Sequence, residues 1–277
     1  MELLRLRGFP WAAVLLAAAL LAVYLLLSGE TPYIPSDQLY TLSTSLGNPL
    51  TLLSYVFVHV GIYHLAGKLR PLALCALVLE SVLPSRHVVL LFLFSGAAAG
   101  IAFALTNPFI TLIGASAGIS GMMGAAMILR PKQSLVLLLA LPLVVPLAVM
   151  PGIAAASSYY DSILSNERQS LQTSLVQAVN ESRFNNSAAL QQKISALNQS
   201  LAKTEKKIAQ TKSGAAREEA VPTDLLVHFY GVVAGVLYVF LFRRRDMMDS
   251  KEEFIGLGDL LRSLPSRLAG RKKRRGR

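Results

Sequence analysis

Apolar runs long enough to cross the hydrocarbon core of a bilayer recur along this 277-residue chain, and they decide what it can fold into. Length alone fits one or two soluble domains. With 53% hydrophobic and 16% charged residues and a mean hydropathy of +0.49, a soluble fold is excluded, and the chain reads as an all-α, polytopic membrane protein. Six spans are expected, at about Phe9–Leu27, Gly61–Leu83, Val88–Leu105, Ser116–Leu129, Leu135–Met150 and Asp224–Phe242. Met1–Arg7 and the run behind it resemble a secretion signal, but no clear small-x-small cleavage pattern follows, so the run is expected to stay as a span. Thr51–Val60 is an entering segment ahead of the second span. Thr106-Asn107-Pro108 ends the third, because proline disfavours helix at the residue before it. Phe109–Ala115 is then a partly embedded loop whose backbone needs protein or water partners.

Charge placement gives a topology. Arg5 and Arg7, the Arg86 turn, the Arg130/Lys132 turn and the tail fall on one side of a six-span chain, while Ser28–Pro49 on the other side has no Lys or Arg. That is the positive-inside pattern, and it predicts cytoplasmic N- and C-termini. The formal charge of +11 is concentrated in residues 243–277, which carry twelve Lys/Arg and suit a lipid surface, not a nucleic acid. Within them, Phe254, Leu257, Leu260, Leu261 and Leu264 suit an amphipathic surface helix. Cys75 is the single cysteine, so there is no disulfide framework.

Residues 151–221 change character: they are polar, rich in Ser, Gln and Asn, and hold no spanning run. Leu190, Ile194, Leu197, Leu201 and Ile208 make a coiled-coil-like seam, and Leu164, Leu171, Leu175 and Val179 a weaker one, with Asn185-Asn186-Ser187 between. The expectation is an external insertion, folded as a helical hairpin, between the fifth and sixth spans. Three Asn-x-Ser sequons, at Asn180, Asn185 and Asn198, agree weakly with that side. The chain thus divides into spans one to five (1–150), the insertion (151–221), the sixth span (222–242) and the basic tail (243–277).

The chemistry-bearing stretch is Gly114-Ala115-Ser116-Ala117-Gly118-Ile119-Ser120-Gly121-Met122-Met123-Gly124. Alone it reads as a small-residue packing face. Ser116 and Ser120 share one helical face. Three of the four histidines, His59, His64 and His228, fall at the same expected depth as Ser116, and His87 falls on the other side. His228, Gly231 and Gly235 lie on one stripe, so the two glycines let that helix approach the small face of the other. A serine hydroxyl is a weak nucleophile until a base within hydrogen-bond reach takes its proton.

These residues carry a resemblance. Gly114-Ala115-Ser116 with Gly124 resembles the nucleophile helix of rhomboid intramembrane serine proteases, and His228-x-x-Gly231-x-x-x-Gly235 resembles their base helix. His59-Val60-Gly61-Ile62-Tyr63-His64-Leu65-Ala66-Gly67-Lys68 resembles their second-span motif. The resemblance implies a six-span rhomboid-like bundle with Ser116 as nucleophile and His228 as general base, without cofactor or metal. It further implies His64 and the Ser116 backbone N–H at the oxyanion, His59 as a structural residue, and single-span membrane proteins as substrates. Ala117 and Lys68 depart from it, standing where the family usually has glycine and asparagine. Ser120, in Gly118-Ile119-Ser120-Gly121, is a rival nucleophile. A catalytically inactive rhomboid-like protein that binds membrane clients is the alternative function, with Lys68 in its favour.

Overall fold

The computed structural model describes residues 8–29, 31–135, 150–184, 187–220 and 225–250. Among these, regular structure is helical apart from two isolated β-bridges, Tyr33 with Gly61 and Ser45 with Asn48. Four helices are long and apolar enough to cross a membrane by length and composition: Trp11–Ser28, Ile62–Glu80, Ser85–Thr106 and Leu225–Phe242. Ser116–Leu129 is a fifth apolar helix, shorter than these. The expected fifth span falls mostly on residues 136–149, outside the described residues, as do Arg5, Arg7 and the amphipathic stretch of the tail.

Ser116–Leu129, the serine helix, has the bounds its sequence predicts. It is the centre of the bundle, packed by Ile62–Glu80, Ser85–Thr106 and Leu225–Phe242. Its small side chains allow that enclosure, and Ala117, Ile119, Met122, Ala125 and Ala126 are all buried. On the third span, a Cβ built on Gly96 or Gly100 would meet Val56 and Tyr55, and the Tyr55 hydroxyl donates to the Gly96 carbonyl at 2.9 Å. The entering segment thereby wedges against this span as a short helix, Thr51–Ser54, and a 3₁₀ turn, Tyr55–Phe57.

The embedded loop does find its backbone partners. Thr44 N–H donates to the Leu112 carbonyl at 3.0 Å, and Leu112 N–H to Thr44 Oγ1 at 2.8 Å. Gly114 N–H donates to the Tyr55 carbonyl at 3.0 Å. Irregular backbone is tolerated at membrane depth on this condition.

At the opposite end of the bundle a carboxylate replaces water. Buried Glu80 accepts from Ala12 N–H at 2.8 Å, Ala13 N–H at 3.4 Å and the Ser85 hydroxyl at 2.6 Å. The first N–H groups of a helix have no intrahelical acceptor, and a negative charge there also suits the helix dipole. Sequence reasoning passed over Glu80. The available signal was a glutamate closing an apolar run just before Pro84-Ser85. His87, at this same end, pairs through Nδ1 with the Tyr238 hydroxyl at 3.1 Å.

Met150–Ser182 and Ala188–Ala220 are two 33-residue helices. They run antiparallel, with Glu181 near Leu190 and Lys193 and, farther along, Leu164 near Ile208 and Thr211; Thr204 Oγ1 donates to Glu167 Oε1 at 3.1 Å, and Arg168 Nε lies 3.7 Å from Glu205 Oε1. Leu190, Ile194, Leu197, Leu201 and Ile208 are half-buried along the second helix. On the first helix the seam is corrected by one residue, because Ala178 is buried and Val179 turns outward. The smaller side chain is the one that fits between the helices. Gly214 rests on the Tyr33 ring, which brings the hairpin to the end of the bundle that carries Ser116. An open groove of about 830 Å³ lies there, lined by Tyr33, Asp161, Arg168, Gln172 and Lys212 among others; neither serine lines it, nor does His228.

Candidate active site

Gly114 starts the site. Its φ of +103° lies where side-chain-bearing residues rarely go, and a Cβ there would stand 3.0 Å from His64 Cε1. Glycine therefore both makes the turn into the serine helix and admits the His64 ring beside it. His59 is fully buried one turn ahead of the second span. Its Nδ1 lies 3.2 Å from the Phe57 carbonyl, and its Nε2 faces Ala115 N–H at 3.4 Å. One tautomer serves both contacts, with Nδ1–H donating and Nε2 accepting. The two rings meet edge to face, centroids 5.1 Å apart. His59 is thus wedged between the entering segment and the loop that delivers Ser116. Lys68 follows His64 by one turn on the same helix and is half-buried.

His228 arrives by backbone-to-backbone packing. A Cβ added to Gly235 would run into the Gly121 carbonyl, and one added to Gly231 into the Ala117 carbonyl. At Gly124 it would stand 2.7 Å from the Val232 carbonyl oxygen. Such contacts leave room for hydrogen alone, which is why small residues line both faces. They also fix the register. Gly231 rests on Ala117 and beside Ser120 Cβ, Gly235 rests on Gly121, and Ser120 Oγ lies 2.8 Å from His228 Nδ1. The hydroxyl within hydrogen-bond distance of the imidazole is that of Ser120, one turn beyond Ser116. Ser116 opens the helix on the same face, half-buried, beside the Gly114 turn.

The groups brought to one end of the bundle are thus Ser116, Ser120, His228, His64, His59 and Lys68. The first turn of the serine helix adds backbone donors. Ile119 N–H is bonded to the Ala115 carbonyl at 3.0 Å, which leaves those of Ser116, Ala117 and Gly118 without an intrahelical acceptor. A helix start of this kind favours negative charge. A base, hydroxyls and anion-favouring donors in one place suit acyl transfer.

Part of the chain is similar to known proteins. Residues 46–167 match the Rhomboid domain family model. Rhomboid-related protein 2 of Mus musculus is 31% identical over 127 residues, 42% of this chain and 41% of that protein, so less than half of that relative's length is covered. No solved structure gives a significant match. The family match includes the His59–Lys68 motif and the whole serine helix, and ends before the histidine helix. On a chain of long apolar helices, the segment from the loop ahead of His59 through the last turn of the serine helix is thus similar to a rhomboid domain.

Proposed function

We propose that the chain is an intramembrane serine protease, hydrolysing peptide bonds in or beside the transmembrane helix of single-span membrane proteins. The observation that carries this reading is the 2.8 Å contact between the imidazole of His228 and the serine helix, one turn from Ser116. In the reaction, Ser116 Oγ adds to the scissile carbonyl as His228 takes its proton. The tetrahedral oxyanion forms beside the free N–H groups of the first helical turn, with His64 and Lys68 as side-chain donors. Collapse expels the amine, which takes the proton back from His228 and leaves an acyl-Ser116 ester. Water, deprotonated by His228, hydrolyses that ester and restores the hydroxyl. No metal or cofactor takes part. In this reading both termini are cytoplasmic, and the site and residues 151–221 face the external side.

A client-binding protein without catalysis is the second reading. It is favoured by Lys68, where the family usually has asparagine, and by the absence of a direct bond from Ser116 to His228. Labelling with a fluorophosphonate and cleavage of a single-span substrate in proteoliposomes separate the two. Proteolysis predicts that wild type labels and cleaves, and that His228→Ala lowers turnover by about 10²–10⁴-fold, the usual worth of a general base. Wild type that neither labels nor cleaves gives the client-binding reading.

A further inference from the structure

We propose that Ser120 is a positioning residue for His228: its hydroxyl accepts the Nδ1–H, so that the lone pair is held on Nε2 for Ser116. This rests on the proteolytic reading above. A neutral imidazole has one basic nitrogen, and the hydrogen bond made by the other decides which. The 2.8 Å contact fits two tautomers. If Ser120 donates to a bare Nδ1, Ser120 is itself the activated nucleophile. If Nδ1–H donates to Ser120 Oγ, the base faces elsewhere and Ser120 only holds it.

Two observations choose the second. The first concerns where an oxyanion finds donors. Ser120 sits in the second turn of its helix, where its own N–H is bonded to the Ser116 carbonyl by helix geometry, and the preceding Ile119 N–H is bonded to Ala115. An oxyanion formed at Ser120 finds no backbone donor. At Ser116 three N–H groups await one. The second concerns space. A Cβ on Gly231 would stand 3.0 Å from Ser120 Cβ, so Ser120 lies in the seam where the serine and histidine helices close on each other. Both hydroxyls are half-buried, but Ser120 faces the histidine helix, whereas Ser116 opens its own helix beside the loop. The arrangement is nucleophile, base and orienting group, with a neutral hydroxyl in the orienting place that a carboxylate often fills.

The test uses the full chain in proteoliposomes with a single-span substrate, and compares fluorophosphonate labelling, kcat and KM for Ser116→Ala, Ser120→Ala and Ser120→Thr. Expected are no labelling for Ser116→Ala, and retained labelling for Ser120→Ala. The latter's kcat should fall about tenfold at unchanged KM, the worth of one neutral hydrogen bond. Ser120→Thr, which keeps the hydroxyl, should recover most of that loss. Should the added methyl lower its melting midpoint, Ser120→Ala decides alone through the kcat-against-KM split. Labelling that survives Ser116→Ala and vanishes in Ser120→Ala overturns the proposal and makes Ser120 the nucleophile. A kcat unchanged in Ser120→Ala, or a loss that a stably folded Ser120→Thr does not recover, also overturns it. A wild type that neither labels nor cleaves fails the proteolytic reading itself, an outcome distinct from these.

Discussion

Two pairs of helices in this protein pack by opposite means. The serine and histidine helices approach until backbone touches backbone, with Gly235 on the Gly121 carbonyl and Gly231 on that of Ala117. The hairpin helices, Met150–Ser182 and Ala188–Ala220, stay a side chain apart and meet through half-buried leucines and isoleucines and a few polar pairs. A close-packed interface resists small shifts, because they drive carbonyl oxygens into Cα atoms. A side-chain seam between polar helices tolerates adjustment. Chemistry that depends on a hydrogen bond between helices therefore belongs in the first kind of interface.

The sharpest way to break this contrast is to add volume to each interface. Gly235→Val puts a branched side chain against the Gly121 backbone, where nothing can rotate away. The helices must separate, and displacement of His228 by about 1 Å costs on the order of 10²-fold or more in rate. The expected outcome is loss of cleavage with a lowered melting midpoint. Ala178→Val, at the buried position of the hairpin, should leave turnover within a factor of about two, because overpacking there costs stability of the hairpin alone. Equal losses of activity in the two variants would show that the hairpin is coupled to the site.

How far this was legible in the sequence depends on the same contrast. The serine helix was read with the right bounds because Gly114 and Arg130-Pro131 punctuate it. The hairpin was read as two seams because leucine spacing reports side-chain packing directly. The hydrogen bond between His228 and Ser120 was not legible. Ser116, Ser120 and Gly124 repeat every four residues, and Gly231 and Gly235 do likewise, so a slide of one helical turn matches small residue to small residue again. Only the backbone contacts at Ala117 and Gly121 choose between the two registers. Glu80 was missed for a different reason: two of its three partners are backbone N–H groups, and its one side-chain partner, Ser85, is a residue type found in any turn.

A second prediction concerns charge in the tightly packed region. Lys68 is half-buried one turn from His64, and the proposed mechanism makes it a donor to the oxyanion. Lys68→Leu should lower kcat by about 10²-fold, the usual worth of one such donor. Lys68→Asn, which keeps a shorter donor, should stay within about tenfold of wild type. Substrate cleavage at saturating concentration measures both. Wild-type turnover in Lys68→Leu would leave the first helical turn and His64 as the whole oxyanion site.

Polar pairs sharpen the comparison further, because both regions use them at different depths. Glu80 is buried and serves three donors at once. Glu80→Ala leaves the first N–H groups of Trp11–Ser28 without an acceptor in apolar surroundings, and a buried orphaned donor costs about 1–3 kcal/mol. The melting midpoint should fall by several degrees, and Glu80→Gln, which keeps one acceptor oxygen, should recover part of it.

The smallest effect belongs to the hairpin's ion pair. Arg168 and Glu205 are each about half exposed, at 49% and 51%, with 3.7 Å between the charged atoms. At that exposure water screens the attraction, and holding two long side chains in one geometry offsets much of what remains, so such pairs contribute about 0.2–1 kcal/mol. Arg168→Ala should shift the melting midpoint by about a degree or less, and the shift should shrink further in high salt. The Glu80 variants should be insensitive to salt, because their contacts are with backbone dipoles and a hydroxyl away from solvent. A melting series in low and high salt therefore reads burial directly. If Arg168→Ala costs as much as Glu80→Ala, the two hairpin helices are held together by their polar pairs, and the contrast between a rigid site and a loosely packed hairpin fails.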